Sequence, residues 1–524
     1  MKKDLSFLIT IAFTATIPFS CSQEKPEELP NIIIIFADDM GYGDVSGLNP
    51  EAKTSTPAID EMAESGLVFT EAHASASVCT PSRYGLLTGR YAFRNRVKGG
   101  NVGGFSSSVF EPERKTMAHL LKKAGYTTAA VGKWHLGFDW TTLNEDETPR
   151  MDNVSSYSNV DYSQPISFGP NHYGFDYSFI HPASLDIPPY LFLRDNRAID
   201  DQMVLSSDVY PIRLETTEYS WDKKHTEEGD IYWGKGVWWR NGEMAESFRI
   251  ERCLGDIVED GTNFIEKHIS EQKNNPFFLY LPLTGPHTPW VPEDQFKGKS
   301  SVDTYGDFIL TIDNVVKVIN DKVKQLGIAE NTMVIFATDN GGYWPEEEIN
   351  LQQHESNYGR RGQKGDIWDG GHHIPMVITW PAKISEPQQY DQLVSLTDLY
   401  ATFADLTGQV MDNESGEDSF SFLHVLDGDL SSPVRNSMIH NTSRRFFAIR
   451  EGDWKYIDML GSGGFTHPSF IDIEPGMAEG QLYNIKSDPL ESNNLFFEHP
   501  DIVTELKQKI IATKESGYSR VMTE

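Results

Sequence analysis

Asn31-Ile32-Ile33-Ile34-Ile35-Phe36-Ala37-Asp38-Asp39 is the stretch on which the fold turns. An unbroken, largely β-branched apolar run has no polar face, so it predicts a strand covered by protein on both sides. It stops abruptly at two carboxylates. The pattern recurs: Tyr126 to Val131 leads into Gly132-Lys133-Trp134-His135, Phe277 to Leu283 into Pro286-His287, and Thr332 to Thr338 into Asp339-Asn340-Gly341-Gly342. Helical periodicity lies between these runs, in Thr116 to Lys123 (Ala118, Leu120, Leu121) and in Phe308 to Lys322 (Ile309, Ile312, Val316, Ile319). Alternating strands and helices predict an α/β fold, a large mixed, mostly parallel sheet sandwiched by helices. Ligands of such sheets gather beyond the carboxyl ends of the strands. The four polar strand ends, far apart in the chain, are therefore expected to meet at one site.

Between Trp140 and Arg252 the periodicity is lost and Tyr, Trp, Asn, Asp and Pro predominate, which predicts a loop-rich insertion (140–252) carrying short strands. Helical Thr397 to Leu406 is followed by a break at Gly408 to Gly416. Beyond it, Phe446 to Arg450 and Trp454 to Ile457 read as paired strands around Glu451-Gly452-Asp453. In Ile502 to Lys514, Ile502, Val503, Leu506, Ile510 and Ile511 share one helical face. The expected division is a catalytic unit at 31–410 and a smaller C-terminal α+β subdomain at 411–524, with a small antiparallel sheet and a terminal helix.

The 524 residues include 45 Lys and Arg against 77 Asp and Glu, a net charge of -32. Such a surface repels a polyphosphate backbone, so nucleic acid is excluded as a partner, and an anionic substrate needs a local basic pocket. At the N-terminus, Met1-Lys2-Lys3 precedes an apolar run from Leu5 to Phe19 that ends at Ser20-Cys21, the pattern of a secretory signal (1–21). Pro18-Phe19-Ser20-Cys21 resembles a bacterial lipoprotein cleavage site, with Cys21 lipidated, before a polar linker at 22–30. Past it no apolar run reaches the roughly 18 residues of a membrane helix. The expectation is an exported protein, periplasmic or at the cell surface, that meets a bacterial membrane only through its lipid. Of three cysteines, Cys253 is left as an inert thiol, and no internal disulfide is expected.

Asp38-Asp39 and Asp339-Asn340 offer hard oxygen donors, and adjacent carboxylates repel unless a cation sits between them. Either pair alone would suit a turn or a cap; both at the ends of apolar strands point to a metal. Few histidines and no histidine-rich motif disfavour a two-zinc centre. Cys79 precedes Thr80-Pro81, and Pro81 suits a first helical turn, which places Cys79 just outside a helix N-terminus where free N–H groups favour an anion. Lys133 and His135 lie two apart, so an extended segment would aim both to one face. His287 stands in a Pro-flanked turn at a strand end.

Cys79-Thr80-Pro81-Ser82-Arg83-Tyr84-Gly85-Leu86-Leu87-Thr88-Gly89-Arg90 resembles the signature of the sulfatase family, formylglycine-dependent type I enzymes of the alkaline-phosphatase-like superfamily. Asn31 to Asp44, Gly132 to Gly137, Pro286-His287-Thr288-Pro289, Thr338 to Gly342 and Gly365 to Gly371 match the same family in order. The resemblance implies that a maturation enzyme oxidises Cys79 to formylglycine, whose hydrate attacks sulfur with one hydroxyl and expels sulfate with the other. It implies Ca2+ bound by Asp38, Asp39, Asp339, Asn340 and an oxygen of residue 79. Arg83 would neutralise the nucleophile or pair with sulfate, Lys133 would contact the sulfate or nucleophile, and His135 would assist release. His287 would protonate the departing alcohol and Lys364 would bridge sulfate and leaving group, with Arg360 and Arg361 adding positive field or lying solvated.

Tyr177 to Tyr190 is similar to a sugar-pocket loop of the arylsulfatase A and N-acetylgalactosamine-6-sulfatase branch. There His181 and Asp186 would meet a sugar, and Trp233, Trp238 and Trp239 would stack on one or pack the insertion. The substrate implied is a sulfated glycan carrying galactose or N-acetylgalactosamine 6-O-sulfate. The rival expectations are a phosphomonoester or phosphonate monoester hydrolase of the same superfamily, and a silent glycan-binding lipoprotein.

Overall fold

The computed structural model describes residues 28–98, 100–144, 157–210, 240–272 and 275–522. The signal segment, Cys21 and the three tryptophans at 233, 238 and 239 lie outside the described residues. Asn31–Asp38 is an inner strand of a ten-stranded sheet. Phe277–Pro286 and Thr332–Thr338 flank it, both parallel to it. Thr127–Lys133 and then Tyr177–His181 continue the parallel order on one side. On the other, Met376–Thr379 runs antiparallel, followed by Leu67–Phe69 and an edge strand, Gln388–Tyr390.

Ile32 to Ala37 are fully buried, as a run without a polar face requires. Each isoleucine contributes roughly 1.5–3 kcal/mol on leaving water. Helices Pro57–Ser65, Cys253–Gln272 and Asp303–Gln325 form one packed group against the sheet, and Cys79–Thr88, Met117–Lys123 and Asp398–Leu406 form another. The expected four strands all exist, within a few residues of the expected bounds. One register irregularity falls between Phe36 and Asp38, where Asp38 comes to stand opposite Pro286. A slip of this kind re-aims side chains at the sheet's rim.

The loop-rich insertion holds more of the core than its pattern predicts. Tyr177–His181 is a strand of the main sheet, and Leu193–Arg194 with Arg197–Ala198 closes its edge. Tyr-Ser-Phe-Ile-His lacks a long apolar run, yet four of its five residues are buried because the neighbouring strand and the loop above cover them.

Ser437–Asn441, Phe447–Glu451, Trp454–Ile457 and Gln481–Asn484 form a separate antiparallel sheet. The helix Pro500–Ser516 packs Val503, Leu506 and Ile510 against Ile449, Tyr456 and Leu482. Ile511, expected on that face, is 40% exposed, since this small sheet covers only a narrow stripe of the helix.

Candidate active site

Cys79 is the first residue of the helix Cys79–Thr88, with extended Val78 as its cap, so the helix starts one residue earlier than expected. Pro81 falls in the first turn, where a missing N–H costs nothing. The thiol is fully buried, with Sγ 3.5 Å from Asp38 Oδ1. Burial, then the Asp339 carboxylate, push its pKa well above the usual cysteine value. An unmodified thiol here stays protonated and is a poor nucleophile.

Asp38 ends its strand and Asp39 follows at φ 65°, a left-handed turn that brings its carboxylate back beside the first. Ligand atoms of Asp38, Asp39, Cys79 and Asp339 all lie within 4.8 Å of one another. Asn340 Nδ2 donates to Asp39 Oδ1 (2.8 Å) and to Gly341 O (2.9 Å). Its Oδ1 is buried without a partner among the described residues. A buried acceptor left unsatisfied costs about 1–3 kcal/mol, and beside three carboxylates it fits a hard divalent cation with oxygen ligands.

Three cations close the cluster. Arg83 donates through Nε and an NH2 group to Asp339 Oδ2 (3.0 and 2.7 Å) and through the latter to Asp38 Oδ1 (3.2 Å). Lys133 Nζ reaches Asp38 Oδ2 and Lys364 Nζ reaches Asp39 Oδ2, each at 2.6 Å. Burial opposes the charge of Lys364, but Asp39 outweighs it and raises the ammonium pKa. Burial would raise Asp38, yet Lys133, His287 and Arg83 hold it below the usual carboxylate value. Burial raises Asp339 despite Arg83. Three carboxylates against three cations sum to zero. A divalent cation would leave the site at +2, which suits an anionic ester inside a chain of net charge -32.

Lys133 and His135 do not share an extended face. The strand ends at Lys133, Trp134 is buried, and His135 turns at φ 54°. His135 Nε2 donates to Val102 O (2.8 Å), which leaves Nδ1 a buried lone pair without a partner among the described residues. Burial, then Lys133, hold its pKa well below the ordinary histidine value, so it is neutral. His287 follows its strand, with Nδ1 donating to Thr288 O (2.7 Å) and Nε2 3.6 Å from Asp39 Oδ2.

Ser184 was not anticipated. Its hydroxyl accepts from Lys133 Nζ (3.1 Å) and contacts His287 Nδ1 (3.2 Å), so it ties the two together. A serine inside a recognised loop gives no signal until the chain folds back over the strand ends.

The two residues expected to meet a sugar are both buried. His181 is fully buried, its nitrogens 3.2 Å from Leu191 O and 3.4 Å from Ser184 O. Asp186 is buried, bonded to Arg240 and 3.9 Å from His287 Nδ1. The loop Pro182–Pro189 packs inward, so its polar groups support Ser184 and His287. Arg360 pairs with Glu71, and Arg361 lies 3.6 Å over the Trp368 ring, so neither joins the cluster. The cavity that does open here, about 490 Å³, ends on Asp39, His287 and Lys364 and is walled by Trp290, Tyr343 and Phe465.

Acids and bases from several strand ends thus converge around a buried cysteine. The sulfatase family model matches residues 30–409, and the chain belongs to that family; it is a sulfatase, a hydrolase of sulfate esters, and the phosphoester alternatives are set aside. It is 31% identical over 537 aligned positions to an N-acetylgalactosamine-6-O-sulfatase of Bacteroides thetaiotaomicron, covering 98% of this chain and 99% of that protein. A mouse (Mus musculus) N-acetylgalactosamine-6-sulfatase is 30% identical over 398 positions, covering 72% of this chain and 62% of that protein. A solved Bacteroides thetaiotaomicron sulfatase, described with the metabolism of multiple glycosaminoglycans, superposes with a TM-score of 0.77 at 30% identity, covering 93% of this chain and all of that one.

Proposed function

We propose that this sulfatase removes the 6-O-sulfate of galactose or N-acetylgalactosamine in a sulfated glycan, with Cys79 matured to formylglycine and Ca2+ as its ion. The observation that carries the reading is the cavity that reaches the charged ring at Asp39, His287 and Lys364 and whose walls include Trp290, Tyr343 and Phe465. Aromatic faces suit the apolar face of a sugar, and a convergent polar floor suits its charged substituent. Two of the relatives it resembles act, by their names, on N-acetylgalactosamine 6-sulfate.

Asp38, Asp39, Asp339 and Asn340 would hold the ion, which would lower the cost of gathering negative charge at residue 79. Formylglycine would supply, as its hydrate, one hydroxyl for attack on sulfur and a second for release of sulfate. Lys133 and Lys364 would lend their ammonium groups to the sulfuryl oxygens, a preorganised field of the kind that dominates such catalysis. His287, with Nδ1–H on Thr288 O, would pass a proton from Nε2 to the departing alcohol oxygen, typically worth about 10²–10⁴-fold. His135 would accept a proton at Nδ1. With every one of these side chains in place, a silent binding protein is the weaker reading.

Export with a lipid on Cys21 completes the proposal. Sulfate release from defined saccharides tests the substrate: preference for a 6-sulfated galactose-type sugar is expected, and equal turnover of 2-, 4- and 6-sulfated sugars would overturn it. Mass spectrometry of the Cys79 peptide from active enzyme should show an aldehyde in place of the thiol.

A further inference from the structure

The C-terminal region does more than pack beside the catalytic unit, because it supplies part of the wall of the active-site cavity. Arg444, Phe465, His467 and Ser469 all line that cavity. The loop that carries the last three is fastened to the segment of Lys364 itself. Asp366, two residues after the lysine, accepts from Phe465 N–H (2.8 Å), Thr466 N–H (3.1 Å) and the Thr466 hydroxyl (2.6 Å). Ile367 N–H donates to Ser462 O (2.7 Å). A β-carbon on Gly464 would stand 2.2 Å from the Gly365 carbonyl carbon, so the two backbones are in direct contact. The loop also closes on itself, through Ser462 N–H to Pro468 O (3.1 Å) and Gly463 N–H to Ser469 O (2.8 Å). A wall tied at this many points keeps its side chains in register with Lys364.

Arg444 stands in the turn between the strands Ser437–Asn441 and Phe447–Glu451 and is exposed. Among the described residues its guanidinium meets Ser469 Oγ (3.4 Å) and no carboxylate. Other arginines of this part of the fold are paired: Arg435 with Asp398, and both Arg450 and Arg360 with Glu71. In a chain with 77 acidic residues against 45 basic ones, an arginine that meets no acid beside an anion-binding cavity keeps its planar pair of donors for a ligand. Lys364, at the end of the same cavity, is engaged by Asp39 (2.6 Å). Glu347, from the catalytic unit, also lines the cavity and would repel an acidic group, which leaves the Arg444 wall to receive one.

The lining between the two parts is continuous. Phe465 meets Tyr343 edge to face, with ring centroids 5.8 Å apart. The cavity, about 490 Å³, is of the size that takes a drug-sized ligand rather than a bare sulfate group.

We propose that Arg444, with His467 and Ser469 beside it, forms a second anion subsite that selects glycans carrying a further acidic group, a carboxylate or a second sulfate, on the sugar next to the one that loses sulfate. The inference rests on the glycan reading above and adds to it the charge of the neighbouring unit. Arg444 acts on binding and takes no part in the transfer of sulfate.

The test offers the full-length, matured enzyme three disaccharides that share one sulfated sugar and differ in its neighbour, which is neutral, a uronic acid or sulfated. The leaving sulfate is placed at whichever position the panel of defined saccharides finds released, so a failure of the 6-sulfate reading leaves this comparison intact. Wild-type enzyme is expected to favour an acidic neighbour by about tenfold in kcat/KM, mostly through KM. Raising the salt concentration should weaken that preference. The acidic disaccharide with the larger ratio identifies the anion. Arg444→Met should bring the ratio near one, while Arg444→Lys, which keeps the charge and loses the fork, should retain part of it. A wild-type ratio near one would overturn the proposal with no variant needed, and so would a preference that survives Arg444→Met.

Discussion

The two ends of the central sheet are built from the same strands and solve opposite problems. At the amino ends, Asn31 donates to Thr332 Oγ1 (3.2 Å) and accepts from Phe277 N–H (3.2 Å), while Asn331 donates to Leu29 O (3.2 Å). These groups are neutral and satisfied. At the carboxyl ends the same strands carry Asp38, Lys133, His287 and Asp339, with charges packed together and Asn340 Oδ1 left over. The amino ends are made for stability alone. The carboxyl ends keep an unfavourable concentration of charge because the rigid core holds it in place, and such local conflict is a mark of function.

Substitutions can break this contrast. The largest effect is expected from Cys79→Ser, which removes the oxidisable sulfur and should lower turnover by at least about 10³-fold, with little change in melting temperature. Undiminished sulfate release by this variant would defeat the mechanism. Arg83→Met should act through stability, since it strands two buried carboxylates, and a loss of about 3–5 kcal/mol is expected in denaturant titration. A loss under about 1 kcal/mol would show that Arg83 is not the clamp its bonds imply.

His181 sharpens the comparison through pH. Burial lowers its pKa from 6.5 to about 4. The folded chain then binds fewer protons than the unfolded chain between those values. Its contribution is complete above pH 6.5 and is lost as pH falls towards 4, by roughly 3 kcal/mol in all. His181→Gln should flatten that part of a stability-against-pH curve; an unaltered slope would exclude His181 as its source.

Smaller effects should come from Ser184→Ala and Asn31→Ala. Without its hydroxyl, Ser184 no longer ties Lys133 to His287, and a loss of about tenfold in kcat is expected. The melting temperature should stay near that of the wild type; an unchanged kcat would make Ser184 a bystander. Asn31→Ala should cost about 1 kcal/mol of stability and leave kcat intact. A drop in kcat there would mean that the amino ends are not the inert foundation their neutral bonds describe.

Strand ends that bear the chemistry were legible because each follows an apolar run, and apolar runs are local. The run at 332–338 ends where expected, and Asp339-Asn340 follows it into the site. Tyr177–His181 was illegible as a core strand because its burial comes from neighbours that its own pattern does not announce. Ser184, Trp290, Tyr343 and Phe465 were illegible for a related reason: nothing in a single serine or aromatic says what stands across from it.

Local pattern and short-range stereochemistry thus settle the α/β class, the strands that end in acids and bases, and, to within one residue, the start of the helix at Cys79. Those properties depend on residues adjacent in the chain. Which residues meet is a matter of sheet order, register and the inward turn of the loop at 182–189, all set by contacts across hundreds of residues. The same long-range packing brings His73, His372 and His440 together, and it buries His181 and Asp186.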